Sequence, residues 1–160
     1  MMDPYLIVIL LAMMPVFECM GAIAVGILIL NLNPVAVFAL AFAFNVLVFF
    51  PVYGLLEFVY KGHLDKVGPI RRFVEGIRVK GKRVIDKYGF WGLTVYLAIP
   101  IPFSGTWTGT GIAWLLGIKK RKALLAVAVG VFVAALFVTL LSLFAVEMLY
   151  WLGAPTKSPF

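Results

Sequence analysis

The sequence predicts an all-α integral membrane protein made of two inverted repeats, each a re-entrant helical hairpin followed by a transmembrane helix, with a basic amphipathic interfacial helix between them. Composition is the first reason, because 64% of the 160 residues are hydrophobic and only 13% are charged, against about 25% charged in soluble domains. The second reason is four nearly uncharged stretches long enough for the membrane, at 4–30, 35–60, 89–118 and 123–152. The third is where the Lys and Arg residues lie.

Charge placement decides how many of these stretches cross the bilayer. Residues 61–88 hold nine Lys and Arg against three acids, and residues 119–122 are all Lys or Arg. Short basic loops stay on the cytoplasmic side, yet a single crossing by 89–118 would put these two segments on opposite sides. One stretch must therefore enter and leave the membrane on the same side.

The first element, residues 4–30, is predicted to be a re-entrant hairpin. As one helix it would be about 40 Å long, and Pro15, Glu18 and Gly21 lie near its midpoint, where a proline interrupts helical hydrogen bonding. A neutral turn, 31–34, follows. A single kinked span is the alternative, because membrane helices tolerate proline.

Glu18 is the one carboxyl at the centre of an apolar stretch. A charge there costs at least about 2.5–3.5 kcal/mol, so the side chain must face a cavity, find a partner or be protonated. We therefore predict that Glu18 takes up and releases a coupling proton or ion. The alternative is a permanently protonated Glu18 that is hydrogen-bonded to the backbone of a broken helix.

Residues 35–60 are predicted to cross the membrane inward, and the connector 61–88 to lie in the inner interface. In the connector, apolar residues recur at helical spacing, namely Val67, Ile70, Val74, Ile77, Val84, Ile85 and Tyr88. We predict that Arg71, Arg72 and Arg78 on this basic helix face lipid headgroups. Docking and orientation of the chain is the plainer alternative role.

Residues 89–118 are predicted to form the second re-entrant hairpin, since one helix of this length would be about 45 Å long and two prolines, Pro100 and Pro102, interrupt it. A helix that restarts after them would present free N–H groups and its positive dipole end, which suit a phosphate or a carboxylate. The predicted substrate-binding residues are Pro100, Pro102, Ser104, Gly105, Thr106, Trp107, Thr108 and Gly109. Close helix packing on the small residues is the structural alternative.

With both hairpins in place, residues 123–152 cross outward. The N- and C-termini then lie outside the cell membrane, and the segments 61–88 and 119–122 are cytoplasmic. The two hairpins enter from opposite faces, as in the inverted repeats of secondary transporters. A homodimer is one way for so few spans to enclose a path.

The sequence lacks the residues that several classes of function require. One histidine and one cysteine, His63 and Cys19, make a structural metal cluster improbable, and neither a Ser/His/Asp set nor a Gly-rich loop followed by Lys is present. We expect no enzyme, no cofactor and no metal. Basic residues beside membrane segments indicate contact with the lipid bilayer rather than with nucleic acid.

Two motifs carry a family resemblance. Residues 14–23, MPVFECMGAI, and 99–109, IPIPFSGTWTG, resemble the signature stretches of the small multidrug export protein family, which is similar to the DedA/VTT superfamily in its paired re-entrant hairpins. The resemblance covers nearly the whole chain. It implies that Glu18 corresponds to the acidic residue in the first hairpin of that family. Met20 stands where the family usually has Arg, and Ala24 where it has Pro.

The resemblance to DedA-like proteins implies translocation of a lipid phosphate, either a polyprenyl-phosphate carrier or a phospholipid, coupled to a proton or sodium gradient. The anion-suited second hairpin favours this substrate, so the sequence predicts a membrane transporter or flippase. Two alternatives stay open. Glu18 and Trp107 could serve small-molecule multidrug efflux, or the chain could be a membrane assembly or scramblase-like factor without ion coupling.

Overall fold

The structure is a computed structural model that describes residues 2–60, 68–100 and 105–152; inside 68–98, side chains are described except at 70, 71, 73, 78 and 80–86. The described residues form helices and the turns between them, with no strand. The predicted all-α class is therefore confirmed.

The first helix pair consists of α1, Pro4–Met13, and α2, Glu18–Ala24, which continues as a π-helical segment, Val25–Ile29. Each arm is only about 15–18 Å long, roughly half of the hydrocarbon core. The two arms lie side by side, because a Cβ atom on Gly26 would lie 3.1 Å from Val8 Cγ2. The predicted break at Pro15 is thus present, and the chain turns back there.

The next two helices are α3, Pro34–Leu47, and α4, Phe49–Val59. Asn33 caps the start of α3 by accepting hydrogen bonds from two backbone N–H groups. The break between the helices follows from Pro51, which has no N–H to donate and whose ring crowds the carbonyl four residues earlier. Helix α3 runs alongside α1 and contacts the π-helical segment, since a Cβ atom on Gly26 would also lie 2.7 Å from Val37 Cγ1.

A long kinked helix, α5, spans Gly68–Ala98. It merges most of the predicted connector with the first arm of the second predicted hairpin, and residues 61–67 of that connector lie outside the described residues. The kink is at Gly89, with φ 35° and ψ −118°, a conformation that side chains disfavour. The helical spacing of apolar residues predicted a helix in the connector. It did not predict that this helix continues through Gly89 into the second predicted hairpin.

The second helix pair has two arms. One is formed by residues 90–98, at the end of α5, and the other is α6, which spans Thr106–Leu115. The arms approach so closely that a Cβ atom on Gly109 would lie 2.7 Å from Leu97 Cδ2. Residues 101–104, between them, lie outside the described part of the chain.

The last helix, α7, spans Lys120–Trp151 and packs against both helix pairs. Small residues form its buried face, among them Ala123, Ala126, Gly130, Ala134 and Ala135. Its outward face is also apolar and includes Leu125, Phe132, Phe137 and Phe144, as expected of a helix surrounded by lipid.

Two stretches are long and apolar enough to cross a membrane, Pro34–Val59 and Lys120–Trp151. They coincide with the two segments that the sequence predicts as spans. The helical, apolar character of the described chain is that of a membrane protein.

Candidate functional site

The two helix pairs meet at their broken ends, where the C-terminus of α1 faces the N-terminus of α6. The last carbonyls and the first N–H groups of any helix have no partner within it. Inside a membrane no water supplies one, and each unsatisfied group costs several kcal/mol. The contacts between the pairs therefore decide whether such breaks are tolerable.

Two side chains satisfy the end of α1. Asn45 Nδ2 donates a hydrogen bond to the Ala12 carbonyl at 2.7 Å, and Trp107 Nε1 donates to the Met13 carbonyl at 3.1 Å. Thr106 Oγ1 in turn donates to Asn45 Oδ1 at 2.7 Å. The Asn45 side chain is completely buried, so α3 links both helix pairs through one amide.

Glu18 satisfies the start of α6. Its carboxylate accepts hydrogen bonds from the backbone N–H groups of Gly105 and Trp107, and a negative charge at a helix N-terminus is stabilised by the helix dipole. The close approach depends on glycine, because a Cβ atom on Gly105 would overlap the Glu18 carboxylate. The Glu18 carboxylate on the first pair is therefore the acceptor for backbone N–H donors on the second pair.

One oxygen of this carboxylate remains unused. Glu18 is 3% exposed, and within the described part of the chain its Oε1 atom is buried without a hydrogen-bond partner. The residue also has a positive φ of 49°, which is uncommon for a residue other than glycine. Such an atom can hold a proton or contact a cation, because a buried acceptor gains from any donor or positive charge that reaches it.

The structure brings part of the predicted substrate-binding motif to the contact between the helix pairs, with Gly105 and Trp107 at Glu18 and Thr106 at Asn45. Two further hydroxyls of α6 donate to backbone carbonyls one turn earlier: Thr108 Oγ1 to Gly105 at 3.2 Å and Thr110 Oγ1 to Thr106 at 2.6 Å.

The remaining predicted residues lie apart from this contact. Gly109 packs against Leu97, and Pro100 is exposed after the end of α5. Pro102 and Ser104 lie outside the described residues. On α5, Arg72 is exposed, and the side chains of Arg71 and Arg78 are not among those described.

Asn45 is the residue that the sequence analysis missed. The signal was present, since Asn45 is the single amide side chain within the apolar stretch 35–60. A search limited to charged residues passes over it, although a buried amide also requires partners. Among the residues that the structure describes, no group of three or more His, Cys, Asp or Glu side chains could hold a metal ion.

The site lies within a known family. A family model described as "Putative small multi-drug export protein" matches residues 18–137, which is more than half of the chain. The chain belongs to this family. The matched range begins at Glu18 and includes Asn45 and the start of α6, so the family covers every residue of the contact except the end of α1. Neither a curated protein nor a solved structure matches the chain.

Proposed function

We propose that this protein exports small amphipathic cations across the membrane in exchange for protons, and that Glu18 binds either one. The single observation that carries the proposal is the buried Glu18 carboxylate between the two helix pairs, whose Oε1 atom has no hydrogen-bond partner among the described residues. The family description, which names small multi-drug export, supports the same class of substrate.

Exchange follows from the chemistry of a single buried acid. An ionised carboxylate in an apolar site is costly unless a positive charge accompanies it. A proton and an organic cation therefore compete for the same group, and release of one favours uptake of the other. No further carboxylate is required for coupling.

The hydrogen bonds of Glu18 connect its charge to the fold. The ionised carboxylate holds the N–H groups of Gly105 and Trp107 more strongly than the neutral acid does, because charge-assisted hydrogen bonds are roughly twice as strong. Protonation of Glu18 would thus loosen the contact between the helix pairs, and cation binding at Oε1 would retain it. The two loaded forms then favour different arrangements of the pairs.

Translocation of a lipid phosphate is the second candidate, and the hydroxyl-rich start of α6 favours it. The N–H groups that the sequence analysis assigned to a phosphate are engaged by Glu18. A lipid phosphate could bind there only after protonation had released the carboxylate. This candidate therefore requires proton and anion to move together, whereas cation export requires them to exchange.

We also propose that both pairs are re-entrant and that the halves form an inverted repeat. Asn45 lies 11 residues after Pro34, or about 16 Å along α3, and it contacts the tip of α1. Gly130 lies ten residues after Lys120, about 15 Å along α7, and it packs against Leu97 near the tip of the second pair. Both tips would then lie near mid-depth, reached from opposite faces.

The decisive experiment compares Glu18→Gln with Glu147→Gln in reconstituted vesicles. Glu147 is exposed on α7 and serves as the matched control. With an imposed pH gradient, we expect Glu18→Gln to lower gradient-driven ethidium transport by about tenfold or more, a loss of roughly 1.4 kcal/mol, and Glu147→Gln to leave it unchanged. Normal transport by Glu18→Gln would refute the coupling role.

The same vesicles separate the candidates. Movement of a polyprenyl phosphate with co-transport of protons, and no movement of ethidium, would replace cation export with lipid translocation. Movement of neither compound by the wild-type protein would favour the assembly-factor alternative.

Topology is tested with single cysteines in a Cys19→Ser background. Gly76→Cys on α5 has open space around its Cβ position, and Arg121→Cys is exposed at the start of α7. A re-entrant second pair puts both on the cytoplasmic side, so an impermeant thiol reagent should label both only after permeabilisation. Labelling of just one of them in intact cells would mean that 89–118 crosses the membrane.

A further inference from the structure

A second feature of the molecule is an apolar cavity of about 300 Å³ at the base of the second helix pair, between the end of α5 and α6. The residues with side chains that line it are Tyr88, Leu93, Tyr96, Ile112, Leu116 and Ile118. Gly89 and Gly92 also line it, and their lack of side chains widens the space beside the kink.

This cavity is separate from the Glu18 site. One turn beyond Leu93, the completely buried Leu97 closes the space between the helices. A Cβ atom on Gly109 would lie 2.7 Å from Leu97 Cδ2, and one on Gly130 would lie 2.6 Å from Leu97 Cβ. The packing around Leu97 therefore closes the cavity toward the tip of the pair.

Two lysines, Lys87 and Lys119, adjoin the cavity lining at the base of the pair and form what we call its cationic mouth. Lys87 precedes the lining residue Tyr88 and lies with its Nζ atom 5.1 Å from the centre of that ring. Lys119 follows the lining residue Ile118, is exposed, and begins a run of four basic residues. Each of the eight lining residues is uncharged, so the apolar interior and the cationic mouth are distinct zones.

From this arrangement we infer that the cavity is a binding site for an anionic phospholipid, with one acyl chain between α5 and α6 and the phosphate at Lys87 and Lys119. In a bilayer, a partly open apolar cavity takes up hydrocarbon rather than water, because water would find few hydrogen-bond partners there. Juxtamembrane Lys residues then select the headgroup by charge. The cationic mouth disfavours the cations proposed as export substrates, so this site is not their entrance.

The test measures the association of spin-labelled phosphatidylglycerol and phosphatidylcholine with the full-length protein in vesicles. We expect severalfold preference for phosphatidylglycerol. Leu116→Trp, which fills the cavity, should abolish the preference and reduce the number of immobilised lipids. Leu125→Trp, on the exposed face of α7, is the matched control and should change neither.

A second pair of variants tests the headgroup contact without altering buried packing. Lys87→Gln combined with Lys119→Gln should remove most of the preference for phosphatidylglycerol while the number of immobilised phosphatidylcholine molecules stays the same. Lys120→Gln should have the smaller effect, because its Nζ atom lies over Phe50 and Tyr53 on α4, which do not line the cavity, whereas Lys87 lies over the lining residue Tyr88. Equal binding of the two lipids by the wild-type protein, or a preference that survives Lys87→Gln with Lys119→Gln, would overturn the inference, whatever the result for Glu18.

Discussion

The two helix pairs present opposite hydrogen-bonding groups at their broken ends. Each breaks a membrane-length apolar stretch near its middle, but the first pair presents carbonyl groups and the Glu18 carboxylate, whereas the second presents backbone N–H groups and side-chain donors. They also differ at their bases. In the first pair Gly26 lies against Val8 and Val37, while the base of the second pair holds the 300 Å³ cavity.

From this difference we expect that neither pair would be stable as an isolated unit in lipid. Acceptors alone or donors alone would leave buried polar groups without partners. Joined, the pairs provide each other with hydrogen-bond partners through Asn45, Trp107 and Glu18. Among the described residues, the buried side-chain atom that remains without a partner is Glu18 Oε1. Substitutions at the junction should therefore destabilise more than similar substitutions elsewhere.

The largest effect is expected for Gly105→Ala. The new Cβ atom would overlap the Glu18 carboxylate, so backbone or side chain must move, at a cost of about 3 kcal/mol in unfolding free energy. The control is Gly111→Ala on the same helix, which has open space around it and should stabilise by up to about 1 kcal/mol. Denaturant unfolding in detergent micelles, followed by circular dichroism, measures both.

A double-mutant cycle identifies the cause of this loss. In a Glu18→Ala background the overlap is absent, so Gly105→Ala should cost less than about 1 kcal/mol. An equal cost in both backgrounds would mean that the two helix pairs do not meet at Glu18.

An intermediate effect is expected for Asn45→Leu, which keeps the approximate volume but removes the amide. The Ala12 carbonyl loses its donor and the Thr106 hydroxyl its acceptor, and the expected cost is about 2 kcal/mol. Thr139→Ala is the comparison, because the Thr139 hydroxyl donates to the Ala135 carbonyl of its own helix. We expect that variant to lose under about 0.5 kcal/mol; similar losses for the two would contradict a bridging role of Asn45.

The smallest effect is expected for Trp107→Phe. It removes the 3.1 Å hydrogen bond to the Met13 carbonyl at a partly exposed position, and interhelical hydrogen bonds in membranes average about 0.6 kcal/mol. Trp151→Phe, at the highly exposed end of α7, should leave stability unchanged. If Trp107→Phe also has no effect, the junction depends on Asn45 and Glu18 alone.

Much of this arrangement could be read from particular residues. Pro15 and Pro100 mark breaks because proline cannot continue the hydrogen-bond pattern of a helix. Glu18 stands out because a charged side chain in the middle of an apolar stretch is costly in a membrane unless it has a partner or a function. Pro51 marks the break at Val48 equally well, although residues 35–60 were predicted to form a single transmembrane helix. Asn45 was not predicted as a site residue because its side chain is uncharged. The continuity of α5 across Gly89 has no signal in periodicity, since a kinked helix and two separate helices repeat alike.

The sequence by itself determined that the chain belongs in a bilayer, where its apolar stretches break, and that one acid lies far from either end of its stretch. Those properties depend on composition and on local backbone chemistry. Only the tertiary structure decided that Glu18 meets the start of α6 and that Asn45 joins α1 to Thr106. The physical reason is sequence separation, because these partners lie 33 to 94 residues apart. Over such separations the packing of the helices decides which buried donor meets which acceptor, and local sequence patterns do not predict that packing.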